Sequence, residues 1–326
     1  MFFESRTEKP VNEDALGISS SVWLIADGAS ALKGGNRMQT GSDAAWLARS
    51  IARSAKRFEN LDASIESILK IILNELSAAF GECPEDEMPS CTVSIVRASK
   101  RTQAFEYFIL GDSPLLFALK DRPLRLVDER VGFFDNKVLE AMARIRQNDD
   151  LSLKALRALP EIQSMLIANR ARKNNPEGGY PIVDLNASWF APLTGSIPFD
   201  EVNGFALYSD GFDQLQGFLH ESDDDFVIRL QNDPAGAMDL LWSLQEEDPD
   251  ARALLRLKKR DDTSLMAVDA KEALKTCSPI SQNETIILKR VPFTAPFSYT
   301  FSSLLFNIDF AGGFCKCQTI DGYTRD

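Results

Sequence analysis

Short apolar runs that stop at turn residues alternate along this chain with longer stretches of helical periodicity. Residues 22–26 are wholly apolar and end at Asp27-Gly28, the pattern of a buried strand entering a turn. Residues 91–96, 104–110 and 115–119 predict three strands in succession, with Gly111-Asp112-Ser113-Pro114 turning between the last two. Further strands are predicted over 205–208, 263–268 and 285–288. Helical periodicity covers 42–58 and 62–80. In the second stretch Ile65, Ile68, Leu69, Ile72, Leu73 and Leu76 form one apolar stripe that reads as a core face. A third helical stretch, 137–173, ends at the break Asn174-Asn175-Pro176-Glu177-Gly178-Gly179. Shorter helices are predicted over 224–231, 235–244 and 249–257. Strands mixed with separate helix pairs, without regular strand–helix–strand alternation, predict an α+β fold rather than a doubly wound parallel sheet.

From about Thr276 the pattern changes. Phe293, Phe297, Phe301, Phe306, Phe310 and Phe314 recur at the spacing of an amphipathic helix, but Pro292, Pro296, Tyr299, Thr300 and Gly312-Gly313 interrupt it. This tail is expected to pack on the domain or to extend from it. Residues 1–275 are expected to form one domain, and 276–326 a C-terminal strand followed by the aromatic-rich tail.

Composition narrows the function. With 44% hydrophobic and 26% charged residues, the 326-residue chain is an ordinary soluble globular protein. A formal charge of −12 argues against nucleic acid or an anionic membrane as the main partner. The single histidine, His220, stands in the polar stretch His220-Glu221-Ser222-Asp223-Asp224-Asp225 and reads as a solvated loop residue. It rules out a His-rich zinc site. The five cysteines, Cys83, Cys91, Cys277, Cys315 and Cys317, follow no disulfide or zinc framework. The N-terminus has no basic region leading into an apolar core, and no apolar stretch reaches the roughly 20 residues of a membrane span. A cytoplasmic monomer is the default expectation.

Candidate chemistry lies in four widely spaced acidic motifs: Asn12-Glu13-Asp14, Ala26-Asp27-Gly28-Ala29, Ser209-Asp210-Gly211 and Arg260-Asp261-Asp262-Thr263. A carboxylate at the end of a buried strand is costly unless a cation meets it. Four such placements predict that the fold gathers them around one site. The donors are all oxygen, which suits hard divalent cations such as Mg²⁺ or Mn²⁺. Two such ions, about 3.5–4 Å apart, acidify a shared water and offset the charge of phosphoryl oxygens. Aspartate ties an ion closely to the backbone, and a following glycine allows a sharp turn and leaves its carbonyl open as a ligand. A single Asp-Gly is more often a plain turn, so the order and context of the motifs carry the signal.

The order Asn12-Glu13-Asp14, Leu24-Ile25-Ala26-Asp27-Gly28, Leu110-Gly111-Asp112-Ser113, Tyr208-Ser209-Asp210-Gly211 and Asp261-Asp262-Thr263-Ser264 resembles the metal-dependent Ser/Thr protein phosphatases, the protein phosphatase 2C-like or PPM family. Pro192-Leu193-Thr194-Gly195 resembles its usual lead-in to the fourth motif, and the likeness spans roughly residues 5 to 270. It implies a four-layer αββα sandwich, two antiparallel sheets flanked by helix pairs, with a binuclear Mn²⁺ or Mg²⁺ centre at one end. In that scheme Asp27 bridges both ions and the Gly28 carbonyl ligates one. Asp210 and Asp261 hold the other. Glu13 and Asp14 act largely through bound water, and Asp112 sits where many members help bind a third ion. The implied activity is hydrolysis of phosphoserine or phosphothreonine in a protein by direct attack of metal-activated water, with Lys9, Asp27 and Asp210 as the catalytic residues.

The chain departs from the family pattern in places. Lys9 stands where the family usually has a phosphate-gripping Arg; lysine binds phosphate as a point charge, without the bidentate fork. Arg6 is a second candidate for that grip. Gln214 stands where many members carry another Asp, with Asp213 one place earlier, and the last motif reads Asp261-Asp262 rather than Asp-Asn. Residues 130–184 are longer and more helical than the usual flap region, and read equally as a shaper of substrate choice or as a structural insertion. Two other functions remain open: a phosphatase-like binding domain with weak or no catalysis, and a hydrolase of small phosphoesters.

Overall fold

The computed structural model describes residues 1–29, 34–186 and 189–276. The described residues belong to one compact unit. The strand predicted over 285–288 and the aromatic tail lie outside the described residues.

Three strands open the chain, β1 (Phe2–Arg6), β2 (Asp14–Ile18) and β3 (Val22–Ala29), followed by helices α1 (Asp43–Arg53) and α2 (Ile65–Phe80). Next come β4 (Ser90–Ser99), β5 (Ala104–Leu110), β6 (Leu115–Leu119) and β7 (Pro123–Leu126). A helical insertion, α3 (Glu129–Asn148), α4 (Leu153–Ala158) and α5 (Pro160–Arg170), leads to β8 (Val183–Asp184), β9 (Leu193–Pro198) and β10 (Val202–Tyr208). The last elements are α6 (Asp210–Leu219), α7 (Asp223–Asn232), α8 (Pro234–Glu247), β11 (Thr263–Asp269) and α9 (Ala270–Thr276). One sheet has the order β1-β11-β10-β6-β7 and the other β2-β3-β4-β5-β9, with β8 added beside the start of β4. Every pairing between these strands is antiparallel.

The alternation of side chains along each strand divides the core into layers. Trp23 and Ile25 of β3 point between the sheets, where they join Phe105, Phe117, Phe205 and Met266. Val22, Leu24 and Ala26 point the other way, onto Leu47 and Ile51 of α1 and Leu69 of α2. The second sheet repeats this arrangement: Leu116, Ala206, Tyr208 and Leu265 pack under Phe212, Phe226, Met238 and Leu241 of α6 to α8. Helices therefore cover both outer faces, giving the αββα sandwich. Covered on both sides, the central strands read as continuous apolar runs instead of alternating ones. Phe205 stands at the middle, with ring centroids 5.4 Å from Trp23, 5.3 Å from Phe105 and 5.8 Å from Phe117.

Several predicted boundaries are corrected. The helix predicted over 42–58 ends at Arg53 and gives way to a 3₁₀ turn, Ala55–Glu59; Ser42 caps its start by accepting from the Ala45 amide at 3.4 Å. The helix predicted over 137–173 starts earlier, behind an Asp128 cap, and breaks into three pieces. Residues 249–257 are not helical. The Asp248 carboxylate takes the amides of Arg252, Ala253 and Leu254 at 2.6–3.3 Å, Ala251 has φ +53°, and Arg256 donates to the carbonyls of Leu254 and Lys259. Side chains thus occupy the backbone groups that a helix would pair with one another. His220, exposed as expected, closes α6 in the left-handed conformation at φ +49°. No helix among the described residues is long and apolar enough to cross a membrane.

The central aromatic cluster yields the first prediction. Phe205→Ala should cost about 3–5 kcal/mol of stability, the usual penalty for emptying a buried phenyl site. Urea unfolding measures it, and a loss below about 1 kcal/mol would show that the inter-sheet core does not depend on this ring.

Candidate metal centre

The sandwich delivers the acidic motifs to one end. β2 begins where β3 ends, and their pairing sets Asp14 directly opposite Asp27. β10 and β11 are neighbours, so Asp210 at the start of α6 and Asp261, just before β11, emerge together. β6 starts at Leu115, opposite Leu207 of β10, which brings the β5–β6 turn and Asp112 to the same end. Two glycines are required by close backbone approach. A Cβ on Gly28 would stand 2.7 Å from the Glu13 carbonyl oxygen, and one on Gly211 would stand 2.1 Å from that of Asp262.

Lys9, Glu13, Asp27, Asp112, Asp210 and Asp261 line one side of a cavity of about 1180 Å³. Its opposite wall comes from the helical insertion, with Asp135 of α3 and Ile167 and Arg170 of α5 turned inward. The insertion shares a core with the loop that leads to Asp261. Val138, Met142, Leu156 and Ile162 pack with Ala251, Leu255 and Leu257. Arg146 donates to the carbonyls of Asp250 at 2.8 Å and Ala251 at 2.7 Å.

Electrostatically the cluster has two unlike halves. On one side stand Asp14, Asp27, Asp112 and Asp210. Burial, with the charges of Asp262 and Asp210, raises Asp14 from an ordinary 3.8 to about 7. Burial, with the charge of Asp14, holds Asp27 well above its ordinary range. Asp112 is raised in the same way by burial and by Asp210, and Asp210 itself stands at about 6. Asp14 is 4% exposed, and neither of its oxygens has a hydrogen-bond partner. Among the described residues no cationic side chain pairs with Asp14, Asp27 or Asp112. On the other side the Asp261 carboxylate is held down at about 2, against the pull of burial, by the Lys258 and Lys9 ammonium groups. Lys9 Nζ donates to Asp261 Oδ1 at 2.9 Å and Asp262 Oδ2 at 3.0 Å, and Lys258 Nζ donates to Asp261 Oδ2.

An all-oxygen set with buried, unpartnered acceptors has the chemistry of a hard divalent cation site. Among the described residues, however, no three His, Cys, Asp or Glu side chains close around a single point. These carboxylates suit an ion but are not drawn in around one.

The structure brings Lys9, Glu13, Asp27, Gly28, Asp112, Asp210 and Asp261 to one cavity; Asp14 is paired opposite Asp27 but does not line it. Arg6 is apart: it bonds Glu4 at 2.6 Å and Asp239 at 2.7 Å and lies over the Trp242 ring. Asp213 is bonded through both oxygens by Arg125 at 2.8 Å, and Gln214 accepts from Gln245 at 3.0 Å. Three participants escaped the sequence. Asp135 adds negative charge over Asp112 and Asp210 from within an amphipathic helix. Lys258 had only its position three residues before Asp261 to mark it. Asp262 has a bracing role: besides Lys9 it accepts from Thr7 Oγ1 at 2.5 Å and the Glu13 amide at 3.0 Å, fixing the segment between β1 and β2.

Similar solved structures include the serine/threonine phosphatase Stp1 of Staphylococcus aureus, 14% identical, covering 82% of this chain and 93% of that one with TM-score 0.48. The serine/threonine phosphatase PstP/Ppp of Mycobacterium tuberculosis is 14% identical over 82% and 97% of the chains, with TM-score 0.46. The catalytic domain of PstP in complex with two manganese ions is 13% identical over 82% and 96%, with TM-score 0.44. No curated protein matches the sequence. The family model of protein phosphatase 2C matches residues 4–236. That match spans well over half of the 326 residues, and the chain belongs to the protein phosphatase 2C family.

Proposed function

We propose that this protein is a divalent-metal-dependent phosphatase acting on phosphoserine or phosphothreonine in proteins. The observation that carries the reading is the convergence of buried carboxylates without a counter-cation, above all Asp14 with both oxygens unpartnered. Mn²⁺ or Mg²⁺ bound there supplies acidified water and charge to offset phosphoryl oxygens. Asp27 and Asp210, with Glu13, Asp14, the Gly28 carbonyl, Asp112 and Asp261, are the residues that would hold two ions, and Asp112 a third. Lys9 orients the substrate phosphate. Two of its three N–H donors go to Asp261 and Asp262, which leaves one for a phosphate oxygen. We read the chain as a cytoplasmic monomer; its charge of −12 disfavours nucleic acid and anionic membranes as partners.

One observation favours a second reading. The insertion walls the cavity opposite the carboxylates, which also suits a small phosphoester. p-Nitrophenyl phosphate and a phosphothreonine peptide, each assayed with Mn²⁺ and with EDTA, separate the two. Metal-dependent turnover of both is expected, with kcat/KM in Asp210→Asn lower by at least about 100-fold. Turnover of the small ester alone would establish the second reading, and no metal-dependent turnover of either would overturn both. Lys9→Ala should raise KM about tenfold with Mn²⁺ binding retained; an unchanged KM would remove Lys9 from the phosphate site.

The raised carboxyls also set a pH dependence. In metal-free protein the folded state keeps protons on Asp14 and Asp210 that the unfolded chain, near 3.8, has already lost. Their contribution to stability is full below about pH 4 and disappears as pH rises through about 7. The melting temperature in EDTA should therefore fall further below that in Mn²⁺ between about pH 5 and pH 8, and Asp14→Asn should narrow the gap. A gap that stays constant with pH would show that these carboxyls are not the metal ligands.

A further inference from the structure

The two halves of the carboxylate cluster are neutralised differently. Asp261 Oδ1 accepts from Lys9 Nζ and from the Asp262 amide, both at 2.9 Å, while Oδ2 accepts from Lys258 Nζ. Asp262 Oδ2 receives Lys9 Nζ and the Glu13 amide. Two ammonium groups therefore meet two carboxylates, and the donors already made to Asp261 fill most of its acceptor capacity. Across the cluster, Asp14 and Asp27 have no such partner among the described residues.

Lys258 is held in this position. On its N-terminal side Arg256, 3% exposed, is bonded to the Asp248 carboxylate at 2.6 Å, and Leu257 packs on the insertion. Arg256 also donates to the Lys259 carbonyl at 3.0 Å, and Arg260 lies 4.7 Å above the Trp242 ring. The loop is thus pinned on both sides of Lys258, and the side chain lines the cavity beside Asp210 and Asp261.

We propose that the Lys258 ammonium is the resident cation of the Asp261 side. One divalent ion then binds tightly on the Asp14–Asp27 side, and a second enters between Asp210 and Asp261 only by displacing Lys258. The proposal rests on the metal-dependent reading above. An ammonium neutralises a carboxylate as a cation does, but it carries one charge and has no open coordination position. A divalent ion brought beside it meets like charge as well as a carboxylate whose lone pairs are taken.

The test is Mn²⁺ titration of the metal-stripped full chain by calorimetry, with electron paramagnetic resonance as a second readout. The wild type should bind one Mn²⁺ tightly, give the six-line spectrum of an isolated ion, and bind a second more weakly. Lys258→Met keeps the aliphatic stem and removes the charge, and Lys258→Gln guards against a folding defect in the first variant. Both should tighten the second ion by at least about tenfold and give the broadened spectrum of a spin-coupled pair. Two tight ions in the wild type, or a second affinity unchanged in both variants, would overturn the proposal and leave the metal-dependent reading standing. Absence of Mn²⁺ binding in every form would overturn both.

Discussion

Strand pairing forces like charges together at one end of this molecule, and the rest of the site follows from that constraint. Asp14 cannot retreat from Asp27, because β2 and β3 set them opposite each other in register. The register is locked by the core. Trp23 and Ile25 must face the inter-sheet layer and Leu24 the helices, and a one-residue slip would invert all three. The hydrophobic energy of the sandwich is large enough to hold carboxylates in an arrangement that is unfavourable by itself. Such locally unfavourable placements are typical of functional sites, where the surrounding structure over-determines a costly arrangement.

The two sides of the cluster also differ in mechanical support. Asp14 and Asp27 belong to paired strands of the sandwich itself. Asp261 ends a long irregular loop, and that loop draws its rigidity from Arg256, Asp248 and the core shared with the insertion. The insertion does two things: it walls the cavity and it fixes the segment that presents Lys258 and Asp261. Lining the cavity and bracing that loop fall to the same helices.

What could be read in advance follows the same physical division. Strands β3, β4, β5, β6, β10 and β11 were legible because burial on both faces makes them continuous apolar runs. β1, β2, β7 and β9 are edge or half-exposed strands with mixed patterns, and nothing local marks them. The missing helix at 249–257 depends on Asp248 and Arg256 capturing backbone groups, which periodicity does not register. The carboxylates were legible through their order along the chain. Their division into a lysine-paired half and an unpartnered half was not, because Lys258 and Asp135 acquire meaning only from what the fold sets beside them.

The departures from the family pattern at Lys9 and Asp262 make sense as one physical unit. Asp262 receives the Thr7 hydroxyl, the Lys9 ammonium and the Glu13 amide, and all of these are donors. A carboxylate accepts from all of them, whereas an asparagine there would turn its NH₂ toward one. The extra negative charge of Asp262, next to Asp261, in turn needs extra positive charge, and Lys9 and Lys258 provide it as compact point charges that fit between carboxylates more readily than a planar guanidinium. A lysine at position 9, an aspartate at 262 and a lysine at 258 therefore support one another. Taken singly, Lys9 and Asp262 look like weakened motifs; with Lys258 they balance the charge of half the carboxylate cluster with the chain's own side chains.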